Sequence, residues 1–205
     1  MLETLLDNLF ILNGVFRPNN GSIALAKVAI NYEGSFLDLG TGSGFITIAM
    51  YQSGKIGDSS DISSLTLSCA EKNFNLYNIP IKPIQSNLFE EITSTYDTII
   101  FNPPTNNFLM EGDENILKNK LKNIISPTIC MYLSHIYQWV NTSRRREGIL
   151  DFIFDVEDNV NSGGRVLMNI LDQDFNYLIK HTPSFISITK LTSIQRNTVI
   201  EVNYF

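Results

Sequence analysis

The spacing of apolar residues changes period several times along the chain. Leu5, Leu6, Leu9, Phe10 and Leu12 recur at helical intervals. The stretch 16–21 that follows holds Pro18, Asn19, Asn20 and Gly21 and reads as a loop. Ser22 is placed to cap a helix over 23–30. Beyond it, short apolar runs alternate with helical patterns. Residues 35–39 predict a strand, a glycine loop follows, and 45–51 predicts a helix. A weak strand is expected near 55–57, a helix over 62–77 closed by Asn78 and Pro80, and an extended segment over 81–85. Residues 98–101 form a continuous apolar run, as a strand buried on both faces requires. A helix over 148–160 and a strand over 165–170 come next. Residues 184–191 and 198–204, rich in β-branched and aromatic side chains, end the pattern as two strands, with Gln195, Arg196 and Asn197 as the turn of a hairpin.

This alternation predicts a doubly wound α/β fold with a mostly parallel seven-stranded sheet. Two final strands with no helix between them predict an antiparallel edge pair, which a plain dinucleotide-binding fold lacks. Residues 106–147 break the alternation. They hold the acidic run Glu111-Gly112-Asp113-Glu114 and an aromatic stretch that includes Tyr132, Tyr137 and Trp139. An insertion of this length between sheet elements is expected to serve as a substrate loop. The chain thus divides into an N-terminal, substrate-side helical segment, 1–34, and a main domain, 35–205.

Composition changes this picture little. Of the 205 residues, 43% are hydrophobic and 18% charged, which suits a packed globule. The net charge of −6 speaks against a long grip on a phosphate backbone. The basic cluster Arg144-Arg145-Arg146 is read as a solvated helix start. The N-terminus does not read as a signal peptide, and no apolar run is long enough to span a membrane. Cys69 and Cys130 are far apart and read as ordinary thiols of a reduced, cytoplasmic protein. His135 and His181 have no partner at metal spacing and read as packed or surface residues, so no metal is expected.

Chemistry concentrates at two places. The first is Asp38-Leu39-Gly40-Thr41-Gly42-Ser43-Gly44-Phe45, where a strand runs through Gly-x-Gly-x-Gly into a helix. Glycines permit positive φ and let a ligand approach the backbone. A carboxylate at Asp38 would repel a pyrophosphate, whereas a ligand with an ammonium and a sulfonium is attracted by it. Asp38 can equally brace the loop by hydrogen bonding, and the two roles can coexist. The segment 36–48 resembles the first motif of class I S-adenosylmethionine-dependent methyltransferases. That resemblance implies S-adenosyl-L-methionine as cofactor, with Asp38, Gly40, Thr41, Gly42 and Gly44 around it. It also implies that Asp61 and Ile62 end the second strand, with the acidic residue on the ribose hydroxyls; Asp58 is a rival. Ser86-Asn87-Leu88-Phe89 is similar to the family's Gly-Asp-Leu-Phe and puts Asn87 and Leu88 at the adenine. Asn in place of Asp keeps an acceptor oxygen. Ser162-Gly163-Gly164 resembles the family's Pro-Gly-Gly turn before its fifth strand, a structural feature.

The second place is Asn102-Pro103-Pro104-Thr105 after the apolar run. Prolines fix φ and remove N–H donors, leaving carbonyls to accept. The segment resembles the Asn-Pro-Pro-Tyr signature of amino-methylating enzymes, and the overall likeness is to the branch that methylates glutamine in release factors. The resemblance implies Asn102, Pro103 and Pro104 as catalytic, with Asn102 also beside the cofactor. It implies Phe16, Arg17, Pro18, Thr105 and Phe108 on the acceptor side. That branch's separate N-terminal helical domain is not seen here. Thr105 stands where the family has an aromatic ring, which weakens the fit to a flat nucleobase. The expected acceptor is an amide or amino nitrogen of a protein glutamine or a small molecule. Alternatives are an exocyclic base amine of RNA or DNA, a non-catalytic cofactor-binding module, and a nicotinamide-dependent oxidoreductase.

Overall fold

The computed structural model describes residues 2–103 and 142–205. Pro104, Thr105, Phe108, Cys130, His135 and most of 106–147 lie outside the described residues, together with the expectations placed on them.

Among the described residues the elements run α1 (Leu2–Asn8), α2 (Asn20–Ala29), β1 (Ser35–Leu39), α3 (Phe45–Gln52), β2 (Ile56–Asp61), α4 (Ser64–Leu76), β3 (Ile84–Gln85) and β4 (Tyr96–Phe101). After the gap come α5 (Thr142–Asp155), a 3-10 turn (Val156–Asn159), β5 (Val160–Leu171), α6 (Asp172–His181), β6 (Ile186–Ile194) and β7 (Asn197–Tyr204). The strands form one seven-stranded sheet in the order β3-β2-β1-β4-β5-β7-β6. β7 is antiparallel to both β5 and β6, and the remaining pairs are parallel. The predicted class and its antiparallel edge pair are what the chain adopts.

The period of two in each strand sorts side chains to the two faces. Phe36 and Ile100 pack with residues of α1 to α4, and Leu37 and Ile99 with Ile149, Phe152 and Ile153 of α5 and Leu178 of α6. All four strand residues are fully buried. Each such side chain contributes about 1.5–3 kcal/mol relative to exposure, which is why the apolar runs of β1 and β4 read so clearly in the sequence. Segment 1–34 shares this core. Leu2, Leu5, Leu9, Ile23, Leu25 and Ala26 belong to the same cluster as Phe45, Leu167 and Val199.

Several expectations change. Helix α2 starts before Ser22, because Asn19 is its cap. Asn19 Oδ1 accepts from the N–H groups of Gly21 and Ser22, while Ser22 Oγ accepts from Asn19 N. This reciprocal capping box satisfies donors that a helix start leaves open. Strand β2 runs beyond the 55–57 that its residue pattern predicts and ends at Asp61, as the resemblance implied, since pairing to β1 over five residues outweighs the weak strand propensity of Asp58, Ser59 and Ser60. Gly163 and Gly164 lie inside β5, not in a turn before it: Gly163 has φ +75° where the register to β4 shifts. Helix α6 is absent from the sequence-based expectations, because Asp172, Gln173, Asp174 and Asn176 dilute its apolar spacing. Arg145 is not solvated. It is 1% exposed, and its Nε and Nη2 reach the buried Asp174 carboxylate at 2.8 and 3.1 Å, with Arg146 Nε 2.7 Å away on the same group. A charge run reads as surface until a buried counter-ion on another helix claims it. No helix among the described residues is long and apolar enough to cross a membrane.

Candidate functional site

Strand register assembles the site. Leu39 pairs with Ser60 on one side and Phe101 on the other, Phe101 pairs with Met168, and Asp61 with Gln85. The next step along these strands is therefore a transverse row of Gln85, Asp61, Gly40, Asn102 and Asn169. The row lies at the carboxyl ends of parallel strands, where the strand order reverses direction between β1 and β4. Open α/β sheets bind ligands in that crevice.

The glycine loop leaves β1 with Gly40, Gly42 and Gly44 at φ +68°, +60° and +84°. At Gly44 glycine is required twice over, since a Cβ would also sit 2.6 Å from the Phe74 ring. Gly42 is the most open of the three: among the described residues a Cβ there would meet nothing nearer than the Gly40 carbonyl oxygen, at 4.0 Å. Thr41 N donates to Ser60 O at 2.8 Å and pins the loop to β2. Asn73 of α4 donates to the carbonyls of Ser43 and Phe10, both at 2.8 Å, and accepts from Phe10 N.

Asp38 is buried under this loop, and its Oδ2 accepts from Thr41 Oγ1 (2.7 Å), Thr47 Oγ1 (2.6 Å) and Thr47 N (3.1 Å). Helix α3 has Gly44 at its cap position with no side-chain cap. The Asp38 carboxylate takes the third N–H of that helix instead, acting as a cap supplied from the strand. Bracing is thus the role for which contacts exist. Burial pushes the Asp38 carboxyl upward, opposed by the Thr47 and Thr41 hydrogen bonds.

Asp61 ends β2, where Oδ2 accepts from Gly42 N at 3.1 Å and Oδ1 from Ser63 N at 3.0 Å. Asp58, the rival, lies three residues back, and its Oδ2 takes the Tyr96 hydroxyl at 2.8 Å. Ile62 is half-buried in the bend after Asp61, and its carbonyl accepts from Gln85 Nε2 at 3.3 Å. Asn87 Nδ2 donates to Glu90 Oε1 at 2.8 Å, which directs its oxygen elsewhere. Leu88 holds φ +50° with its side chain exposed, and its carbonyl accepts from Ser86 Oγ at 2.8 Å. A left-handed, outward-facing leucine just past the carboxyl end of β3 is strain of the kind that accompanies ligand sites.

Burial pushes the Asp61 carboxyl up from 3.8 to about 6, against the hydrogen bonds from Ser63 and Gly42 and with the nearby Asp38 charge adding to it. A carboxyl raised in the fold holds its proton more tightly there than in the unfolded chain. It adds stability below about pH 4 that is lost as pH rises to about 6 and is absent above, a difference of about 3 kcal/mol. We expect the stability of the wild type relative to Asp61→Asn to decline over that window in urea titrations. A gap that does not change with pH would contradict this.

Asn102 follows β4, half-buried, with Pro103 buried behind it. Its Nδ2 donates to Ser22 Oγ at 3.1 Å, and its Oδ1 accepts from Asn169 Nδ2 at 2.9 Å. Ser22 belongs to the α2 capping box, so the segment holding Phe16 (half-buried), Arg17 (exposed) and Pro18 (buried) is tied to Asn102 within a few bonds. The row thus brings together the glycine loop, Asp61 and Asn102; Asn87 lies beyond its β3 end, and Phe16 to Pro18 approach it from α2. Sequence reading missed Asn73, Thr47 and Asn169 as parts of this assembly and saw Ser22 only as a cap. A lone Asn inside an apolar strand, as Asn169 is between Met168 and Ile170 of β5, was the one available signal. His181 stacks on Tyr177 with 4.0 Å between ring centroids.

A family model described as methyltransferase small domain matches residues 9–122. A chain of Methanocaldococcus jannaschii, provisionally named a protein N5-glutamine methyltransferase, is 36% identical over 92 residues, which cover 44% of this chain and 47% of that one. A release factor glutamine methyltransferase of Lactococcus lactis is 33% identical over 108 residues, covering 50% and 40% of the two chains. The chain spans less than half the length of these curated relatives. Among solved structures, a 16S rRNA methyltransferase of T. thermophilus in complex with AdoMet and guanosine is similar in fold, with a TM-score of 0.64 at 15% identity over 95% of this chain and 46% of that one.

Proposed function

The chain belongs to the methyltransferase small domain family, and from that premise we propose that it is an S-adenosylmethionine-dependent N-methyltransferase whose acceptor is the side-chain amide of a protein glutamine. The observation that carries this reading is the transverse row, which puts a buried carboxylate, an open glycine bend and an oriented carboxamide on adjacent strand ends.

The residues present fit the cofactor. Asp61 has lone pairs beyond the two used by Gly42 and Ser63, and these can accept two ribose hydroxyls. The bend at Gly42 is open to a ligand. Asn87 turns its oxygen away from Glu90, free to accept from an adenine amino group, and the exposed Leu88 offers that ring an apolar surface. Asp38 supplies negative charge near an amino-acid ammonium. When bound, S-adenosylmethionine supplies an electrophilic methyl group on a positively charged sulfur.

Asn102 Oδ1 keeps a second lone pair after accepting from Asn169. In our reading it accepts one N–H of a planar NH2, and a carbonyl of the proline segment accepts the other. Two acceptors in fixed positions turn the nitrogen lone pair toward the methyl group and favour the positive charge that grows on nitrogen. No strong base is needed beforehand, because the methylated nitrogen releases its proton to water afterwards. In this reading Phe16, Arg17 and Pro18 form the acceptor side with Thr105 and Phe108, and the substrate loop expected over 106–147 is narrowed to 106–141, since helix α5 begins at Thr142.

Net charge of −6 and Thr105 in place of an aromatic ring favour a protein amide over a nucleobase. The names of the curated relatives point the same way. The buried free thiol of Cys69 suits a reducing cytoplasm. Calorimetric titration is expected to give micromolar binding of S-adenosylmethionine and S-adenosylhomocysteine, and labelled cofactor is expected to methylate a release factor. Binding of NADH in place of both would overturn the reading, and label appearing only in RNA would reassign the acceptor.

A further inference from the structure

The amide of Asn102 is useful to the proposed reaction in only one of its two orientations. Rotated by a half-turn, it would present N–H donors to a nitrogen that itself carries hydrogens, and attraction would become repulsion. The described structure contains a device that selects the orientation. Ser22 Oγ faces Asn102 Nδ2 at 3.1 Å and its own proton has an acceptor in Asn19 Oδ1 at 3.5 Å, so Ser22 receives the Asn102 N–H. On the other side Asn169 Nδ2 donates to Asn102 Oδ1 at 2.9 Å. Donor meets acceptor along the whole chain Asn169, Asn102, Ser22, Asn19, and a flip of Asn102 alone would oppose N–H to N–H at Asn169.

Two further observations show that this bracket shapes its surroundings. Asn169 is 3% exposed, and its buried Oδ1 has no hydrogen-bond partner among the described residues. A buried amide needs hydrogen-bond partners, and the bond that its NH2 donates to Asn102 is the side-chain contact that anchors this one among the described residues. Gly21 stands beside it, and a Cβ there would lie 2.6 Å from Asn169 Nδ2. The absent side chain gives Asn169 room to reach Asn102.

We propose that Ser22 and Asn169 are positioning residues that lock the Asn102 carboxamide with its carbonyl toward the acceptor nitrogen. The inference rests on the methyl-transfer reading above and adds to it the parts that orient its key acceptor. It also makes the capping hydroxyl of α2 a mechanical link between the acceptor-side segment and the reacting centre.

The test begins with the ligand-free protein. The Asn102 side-chain NH2 is identified in a 15N-labelled sample by its loss in Asn102→Ala. Ser22→Ala and Asn169→Asp are expected to shift that signal and speed its hydrogen exchange, and Ser22→Thr, which keeps the hydroxyl, is expected to leave it in place. Asn169→Asp is the sharper probe, because a carboxylate facing Asn102 Oδ1 should turn the amide over. With labelled S-adenosylmethionine and a release factor as acceptor, Ser22→Ala, Asn169→Asp and Gly21→Ala are each expected to lower kcat by about ten- to a hundredfold. Cofactor Kd and acceptor KM should stay near wild type, and Ser22→Thr should recover most of the turnover. An unmoved amide signal in a folded Ser22→Ala or Asn169→Asp protein overturns the inference, as does a cofactor Kd that weakens in step with kcat. Absence of cofactor binding by the wild type would instead sink the methyl-transfer reading, while the amide signal would still report on the bracket.

Discussion

Asn102→Ala is expected to lower methyl transfer by about 10²- to 10³-fold while cofactor binding survives. The magnitude is that of removing one preorganised hydrogen-bonding partner from a site where charge develops. The side chain lies half-buried at the end of β4, and deleting it removes the acceptor oxygen together with the bonds to Ser22 and Asn169. It carries no charge, and β4 is held by fully buried residues such as Ile99 and Ile100, so the fold should tolerate the change. The comparison that matters is kcat against the calorimetric Kd of S-adenosylmethionine. If turnover persists within a few-fold of wild type, the Asn-Pro-Pro segment is a strand-ending turn and the acceptor must be held elsewhere.

Asp38 gives the second large effect, and its two substitutions separate two roles. Asp38→Ala strips the acceptor from Thr41 Oγ1, Thr47 Oγ1 and Thr47 N, all in the interior, and leaves α3 without its borrowed cap. Orphaned buried donors cost about 1–3 kcal/mol and a lost cap about 1 kcal/mol, so a loss of about 3 kcal/mol is expected in urea unfolding. Asp38→Asn keeps an acceptor oxygen of the same size and should lose about 1 kcal/mol or less. Burial already pushes the carboxyl upward, so removing its charge relieves a desolvation cost. If Asp38 also pairs with the cofactor ammonium, Asp38→Asn should still weaken S-adenosylmethionine binding about ten- to a hundredfold, the worth of one charge-assisted bond. Near-normal affinity in that variant would reduce Asp38 to a brace.

What was legible in the sequence were features whose cause is local or periodic. The apolar runs of β1 and β4 announce strands buried on both faces, and the last two strands announce an antiparallel edge. Glycines 40, 42 and 44 are legible because their φ values are closed to other residues without strain. Helix α6 was not legible, and the polar half of β2 was legible only through the family resemblance and not from its residue pattern. Their polar residues are tolerated because partners exist across the fold: Arg145 for Asp174, and Tyr96 for Asp58.

The same division holds at the site. The sequence by itself determined the elements and the chemical types at their ends: a carboxylate under a glycine loop, a second one after β2, an amide before two prolines. Only the tertiary structure decided which of these meet. Register between strands far apart in the chain put Asp61, Gly40, Asn102 and Asn169 in one row, and α2 brought Ser22 to the Asn102 amide across 80 positions of sequence. Pairing of this kind depends on which edges the buried apolar faces bring into contact. No residue or short window carries that information, because a hydrogen bond records the distance between two atoms and not the length of chain between them.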